Sequence, residues 1–288
     1  LKKVRGILFQ FIFAFIGIIF IGSLPSLFGV QGQRISLEHY FGTIRRILLG
    51  LMNIKELKVN VKGEVHTVYP QILDAFFYSF IILFIALIIA YIFSIILTFI
   101  TMRLPQFIRD KIRLSILILE SLPDILVIFS LQLIVIYIFK KTDILIMRVV
   151  TIGDERAYLL PIICLSIIPI IQLYRINILL CEDELKKTYV ELTKSKGLNE
   201  SYIILVHVLR NTLVILFFHS KKTIWSMLST LVAIELLYGI TGVTYFLTQL
   251  MVPEIFTILL LGFFIPIFFF YQLAKWIIEI TINKGEMI

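Results

Sequence analysis

The sequence predicts an all-α polytopic membrane protein with six transmembrane helices, and three observations carry that prediction. Residues are 59% hydrophobic, only 16% are charged, and the mean hydropathy is +1.00. A soluble domain is roughly 45–50% apolar and about 25% charged. The apolar residues are also gathered into long solid runs, which excludes the alternating pattern of a membrane β-barrel. Lipid offers no partner to free backbone groups, so such runs must be helical.

Five runs reach the about 20 residues that a span requires, and a shorter sixth, Thr223–Tyr238, is counted with them as extending further at either end. They are Ile7–Phe28, Ile72–Thr101, Leu114–Phe139, Tyr158–Leu180, Thr223–Tyr238 and Ile255–Ile280. The first follows Lys2, Lys3 and Arg5, as a signal peptide would. Its apolar core exceeds the 7–15 residues of such a segment and no small-x-small site follows it, so it is expected to stay as an anchor. With the N-terminus inside, 17 of the 27 Lys and Arg residues fall on the cytoplasmic side. The positive-inside rule therefore puts both termini and the long polar stretch after span four in the cytoplasm. The net charge of +8 is a topology signal. Its basic residues are spread over separate loops, which argues against nucleic-acid binding.

By topology the chain divides into 1–71, the first span with an outside loop, and 72–288, a five-helix core carrying a cytoplasmic loop at 181–222. In the outside loop, Gly29–Pro70, Leu37–Leu51 carries a stripe of Tyr40, Ile44, Ile47, Leu48 and Leu51 and reads as an amphipathic helix. Alternation over Glu56–Val68 with Gly63 reads as a short hairpin. Cys164 and Cys181 stand about 25 Å apart at helical rise. They cannot form a disulfide with each other.

The polar interval after span four reads as helix, glycine break, helix. Glu182, Asp183 and Glu184 suit a helix N-terminus, and Lys194 and Lys196 a C-terminus. Gly197 follows as a residue able to take positive φ, and Asn199 caps a second helix with Glu200 in its first turn. Leu185, Tyr189 and Leu192 form a stripe on the first of these helices. An ordinary connector lying on the bilayer has the same pattern.

These residues resemble the cytoplasmic loop of bacterial ATP-binding-cassette importer permeases, in the oligopeptide, dipeptide and nickel branch. The matching positions are Tyr189, Val190, Lys196, Gly197, Leu198, Glu200, His207, Leu209, Arg210, Asn211 and Leu213, with Glu191 at a glutamate of the wider superfamily. Leu192, Thr193 and Ser195 vary its small residues, and Ile215 replaces a proline near the start of span five. Ser121-Leu122-Pro123, the element Glu235–Tyr238 with Thr241-Gly242, and the segment Ser36–Leu51 are similar to further family elements. The last of these resembles the first-named permease of each pair, although the outside loop here is shorter.

The resemblance implies a type I importer permease fold in the bacterial cytoplasmic membrane, with coupling helices seated on two separate ATPase subunits. It implies a second homologous permease, an extracytoplasmic solute-binding lipoprotein and import of a di- or oligopeptide, with nickel or a metal–chelator complex as the alternative cargo. ATP and Mg would be used by the partner subunits; no cofactor and no enzymatic role are expected of this chain. In accord, it has no G-x-x-x-x-G-K-[ST] loop.

Ionisable groups at bilayer depth cost about 2.5–3.5 kcal/mol on insertion scales. Glu120 and Asp124, four apart in the third run, are expected to share a helix face. They either line a wet path that attracts a cation or neutralise Arg or Lys of neighbouring helices. Glu235 is a third path candidate, at a family position expected to be structural. Pro123, Pro161 and Pro169 are positioned to kink spans three and four. His39, His66, His207 and His219 lack metal-ligand spacing, and no nucleophile–base pattern marks an intramembrane enzyme. An ion-coupled transporter using Glu120 and Asp124 would often show inverted repeats, and no repeat is visible.

Overall fold

A computed structural model describes residues 2–28, 36–56, 58–61, 64–153, 155–250 and 252–285. Six of its helices are long and apolar enough to cross a membrane. The chain packs as two compact units, residues 1–80 with 241–288 and residues 81–240. This is a division by contact, where the one at residue 71 is a division by topology.

In the first unit, α1 (Lys2–Ser23) lies against α11 (Pro253–Gly285). Phe11 stacks on Phe264 at 5.9 Å between centroids. Farther along, a Cβ placed on Gly22 would meet Thr257 Oγ1 at 2.1 Å, so the helices touch there only because residue 22 has no side chain. The amphipathic helix α2 (Leu37–Met52) forms as expected, with Ser36 accepting from the His39 amide at its start. Its Ile47 is fully buried with Ile19 and Leu261, while Ile44 and Leu51 pack on the edge of that cluster. Leu48 of the expected stripe is exposed. Arg46 Nε lies 2.6 Å from Glu254 of α11, and Tyr40 donates to the Phe20 carbonyl at 3.2 Å.

The expected hairpin is β1 (Lys58–Val61) paired antiparallel with β2 (Glu64–Thr67), Lys58 opposite Thr67. Its Gly63 lies outside the described residues. A short helix, α10 (Val243–Leu250), follows Thr241-Gly242, and its first amide donates to Ser79.

In the second unit α6 (Leu159–Leu185) is the central helix: 56% of its most apolar window is buried, against 17% for the helix Asp124–Thr142. It packs along α9 (Leu209–Leu237), with Leu173 and Leu216 enclosing Ala90 of α3 (Gln71–Met102). Both cysteines are free and buried; Cys164 lies 3.0 Å from the Tyr238 hydroxyl.

Two expected spans differ in the structure. The run Leu114–Phe139 is not one helix but two, α4 (Gln106–Glu120) and α5 (Asp124–Thr142). Pro123 has no N–H and biases Leu122 away from helical geometry, so the chain turns at Ser121–Pro123. The Ser121 hydroxyl and amide both close onto the Ile118 carbonyl, at 2.6 and 3.2 Å. The fifth run is longer than Thr223–Tyr238, because α9 starts at Leu209 and passes straight through Ile215, where a proline would have interrupted its hydrogen bonds.

Gly22→Leu is expected to force α1 and α11 apart. Overpacking of this kind costs roughly 1–3 kcal/mol. The thermal unfolding midpoint of the detergent-solubilised protein should fall, with Gly17→Leu, whose Cβ meets nothing within 4 Å, as the silent control.

Candidate functional site: a braced polar loop and the membrane carboxylates

The acidic triplet does not begin a helix. Glu182, Asp183 and Glu184 lie in the last turn of α6, and the next helix, α7 (Thr188–Ser195), starts beyond them. Negative charge there opposes the helix dipole, and each carboxylate is answered by a cation. Glu182 faces Arg113 of α4 at 3.5 Å and Asp183 faces Lys186 at 3.1 Å.

Glu184 is buried and gathers three partners. Lys187 Nζ lies 2.7 Å from Oε2; the Tyr189 hydroxyl and the Asn211 side-chain amide donate to Oε1 at 2.7 and 3.0 Å. Asn211 also donates to the Tyr189 hydroxyl at 3.1 Å. Burial, followed by the bond to Glu184, pushes the Tyr189 hydroxyl up to about 12, so it remains a neutral donor at physiological pH. One carboxylate thus ties the entrance of the loop to its exit.

The loop backbone then folds as its residue types dictate. Lys196 closes α7, and Gly197 takes φ +75° while its amide donates to the Lys194 carbonyl at 2.9 Å. Nothing lies within 4 Å of a Cβ on Gly197, so the demand is for backbone freedom and not for space. Asn199 caps α8 (Glu200–Tyr202), accepting from the Ser201 amide at 3.1 Å. A π-helical segment, Ile203–Val208, leads into α9, and π turns are frequent at functional positions.

Beneath the loop, Val190, Ile203, Ile204, Val208 and Leu209 are buried with Met102, Ile116 and Ile178. The expected stripe is altered accordingly. Leu185 ends α6, Leu192 is exposed, and Val190 is the residue that α7 buries.

The residues marked by sequence fall into two sets. Tyr189, half-buried, and Asn211, itself exposed, brace the loop through their bonds to Glu184. Glu191, Lys196, Gly197, Leu198, Glu200 and Arg210 are exposed, and Leu192, Tyr202 and Leu205 add apolar surface among them. His207 is half-buried, its ring edge-on to Tyr202 at 5.8 Å. Glu184 was readable in sequence only as a charge. The signal available was an acidic residue at the end of an apolar run, with a tyrosine and an asparagine near the two ends of the loop.

The carboxylates of the third run do not share a helix face, because the break at Ser121–Pro123 separates them. Glu120 ends α4 and pairs with Arg175 of α6 at 2.8 Å. Asp124 opens α5, where Thr230 of α9 donates to it. It borders a cleft of about 10 Å³ lined also by Cys164, Leu165, Pro169, Ser226 and Met227, room for a single water. Glu235 is buried in the last turns of α9 and is not part of that cleft. Among the described residues, no three His, Cys, Asp or Glu side chains come together as a metal site.

Comparison with known families agrees with this architecture. Residues 90–280 match the family described as binding-protein-dependent transport system inner membrane component, and the chain belongs to that family. It is an inner-membrane permease component of an ABC importer, a transport protein with multiple membrane passes. Comparison with curated proteins gives no match.

Glu184→Ala should free the loop. Each of the bonds lost is worth about 0.5–1.5 kcal/mol, so protease cleavage between Lys186 and Arg210 should accelerate several-fold while the transmembrane helices stay intact. Glu184→Gln, which keeps an acceptor, should lie between.

Proposed function

We propose that the braced segment Lys187–Arg210 is a lever through which separate ATP-hydrolysing subunits drive this permease. The observation that carries the proposal is its construction. Its inner face is fixed to α4, α6 and α9 by a hydrophobic cluster and by Glu184, while an outer face of mixed charge and apolar side chains is left open. A displacement applied to such a body passes to α6 and α9, whereas a slack linker would absorb it.

In this reading Glu191, Lys196, Leu198, Glu200 and Arg210 meet the partner. Tyr189, Gly197, His207 and Asn211 keep the lever in shape. ATP and Mg are held by two partner ATPases. The lever side is cytoplasmic, with both termini on that side, in keeping with the excess of Lys and Arg there. A second homologous permease completes the path, and an extracytoplasmic lipoprotein delivers the solute. The cargo is a di- or oligopeptide, a reading supported by the loop's likeness to the oligopeptide and dipeptide branch. Nickel or a metal chelate is the cargo to compare in uptake assays.

Single cysteines at positions 189–204 should crosslink to a co-purified ATPase, strongest at the exposed Leu192, Leu198 and Tyr202. An interval without any crosslink would refute the lever. Gly197→Pro, which cannot take φ +75°, should leave the protein inserted and reduce ATP-dependent uptake at least about tenfold while ATP hydrolysis continues.

A further inference from the structure

We propose that the Asp124 cleft is a contact point on the solute path for a protonated primary amine. The inference rests on the transport reading above and adds a substrate chemistry to it. Of the two carboxylates in the third apolar run, Glu120 is neutralised by Arg175, and among the described residues no cation pairs with Asp124. Its hydrogen-bond donor is a hydroxyl, Thr230 Oγ1. Asp124 lies in the first turn of α5, among the helix's unpaired amides.

The cleft gathers further oxygen acceptors. Pro169 lies inside α6 and supplies no N–H to the carbonyl of Leu165, and both residues line the cleft. Ser226 and Thr230, one turn apart on α9, also line it, and the Thr230 hydroxyl bonds both Asp124 and the Ser226 carbonyl. A carboxyl group flanked by hydroxyl-bearing residues suits a group that donates several hydrogen bonds and carries positive charge, and an ammonium head is the size of the water that the cleft accommodates. The helix break at Ser121–Pro123 immediately precedes Asp124, and Pro169, inside the continuous α6, lines the cleft. Broken helices of this kind line substrate sites in other transporters.

The position is consistent with a path. Thr230 is seven residues from Leu237 and Leu165 six from Leu159. The cleft therefore lies about 10 Å along the axes from those helix ends, inside the apolar region. Lys222, on the same α9 face as Ser226 and Thr230, is exposed, and about 12 Å of helix rise separates it from Thr230. It makes no ion pair with Asp124. Asp124 is the one acidic or basic residue among those that line the cleft.

The test uses the complete transport complex in membrane vesicles, with Cys164 and Cys181 replaced by alanine and a single Ser226→Cys. A positively charged thiosulfonate reagent should label Cys at 226 at least about fivefold faster than a negatively charged one of equal size. The ratio should fall to near one in Asp124→Asn and be kept in Asp124→Glu. Ethylammonium chloride should slow labelling more than sodium chloride at equal ionic strength.

Absence of labelling by either reagent, a cation preference that survives Asp124→Asn, or protection by sodium equal to that by ethylammonium would each overturn the proposal. Repeating the labelling with ATP and vanadate separates the two levels. A cation preference that nucleotide leaves unchanged keeps the site and counts against the ATP-driven reading alone.

Discussion

A carboxylate in a protein interior is tolerated only where donors and cations surround it, and at Glu184 that requirement shapes the whole polar loop. Lys187, Tyr189 and Asn211 come from the start and the end of a 25-residue excursion, yet they meet on two oxygens of one side chain. The excursion is thereby closed at its base. Once closed, Val190, Ile203, Ile204 and Val208 have a fixed surface to cover, and they bury against Met102, Ile116 and Ile178. The exposed charges and leucines on the far side are presented by a body of defined shape.

The same logic runs through the membrane carboxylates. Glu120 is answered by Arg175, and the pair reads as structure. Asp124 is answered by a hydroxyl and by the start of its own helix, and it borders open space. The difference arises from one residue. Pro123 breaks what would have been a continuous helix, sending Glu120 to one set of neighbours and Asp124 to another.

The fold was legible because membrane spans announce themselves by length and apolarity, and the Leu37–Met52 helix by its stripe. Gly197 and Asn199 were legible because positive φ and helix capping select few residue types. Three features were not. The break at Ser121–Pro123 was hidden because a proline in an apolar run signals either a kink or an interruption, and only the surrounding packing decides between them. The acidic triplet was assigned to the wrong helix, since charge preference at helix ends is worth well under the tertiary bonds that Glu184 makes. Thr230 carries no mark in sequence, because a hydroxyl in a membrane helix usually bonds its own backbone, and its pairing with Asp124 is a tertiary event.

The central claim is that the loop moves as one body with α6. Paired spin labels at Leu159, where α6 begins, and Leu198, at the exposed turn of the loop, span the 27 residues of that helix, about 40 Å. The distance between them should be measured in the assembled transporter without nucleotide, with ATP and with vanadate. The account predicts one narrow distribution, unchanged to within about 2 Å in all three states, the packed body being bistable as a whole and not deformable within. A distribution that broadens or shifts with nucleotide while the rest of the unit holds still would contradict it.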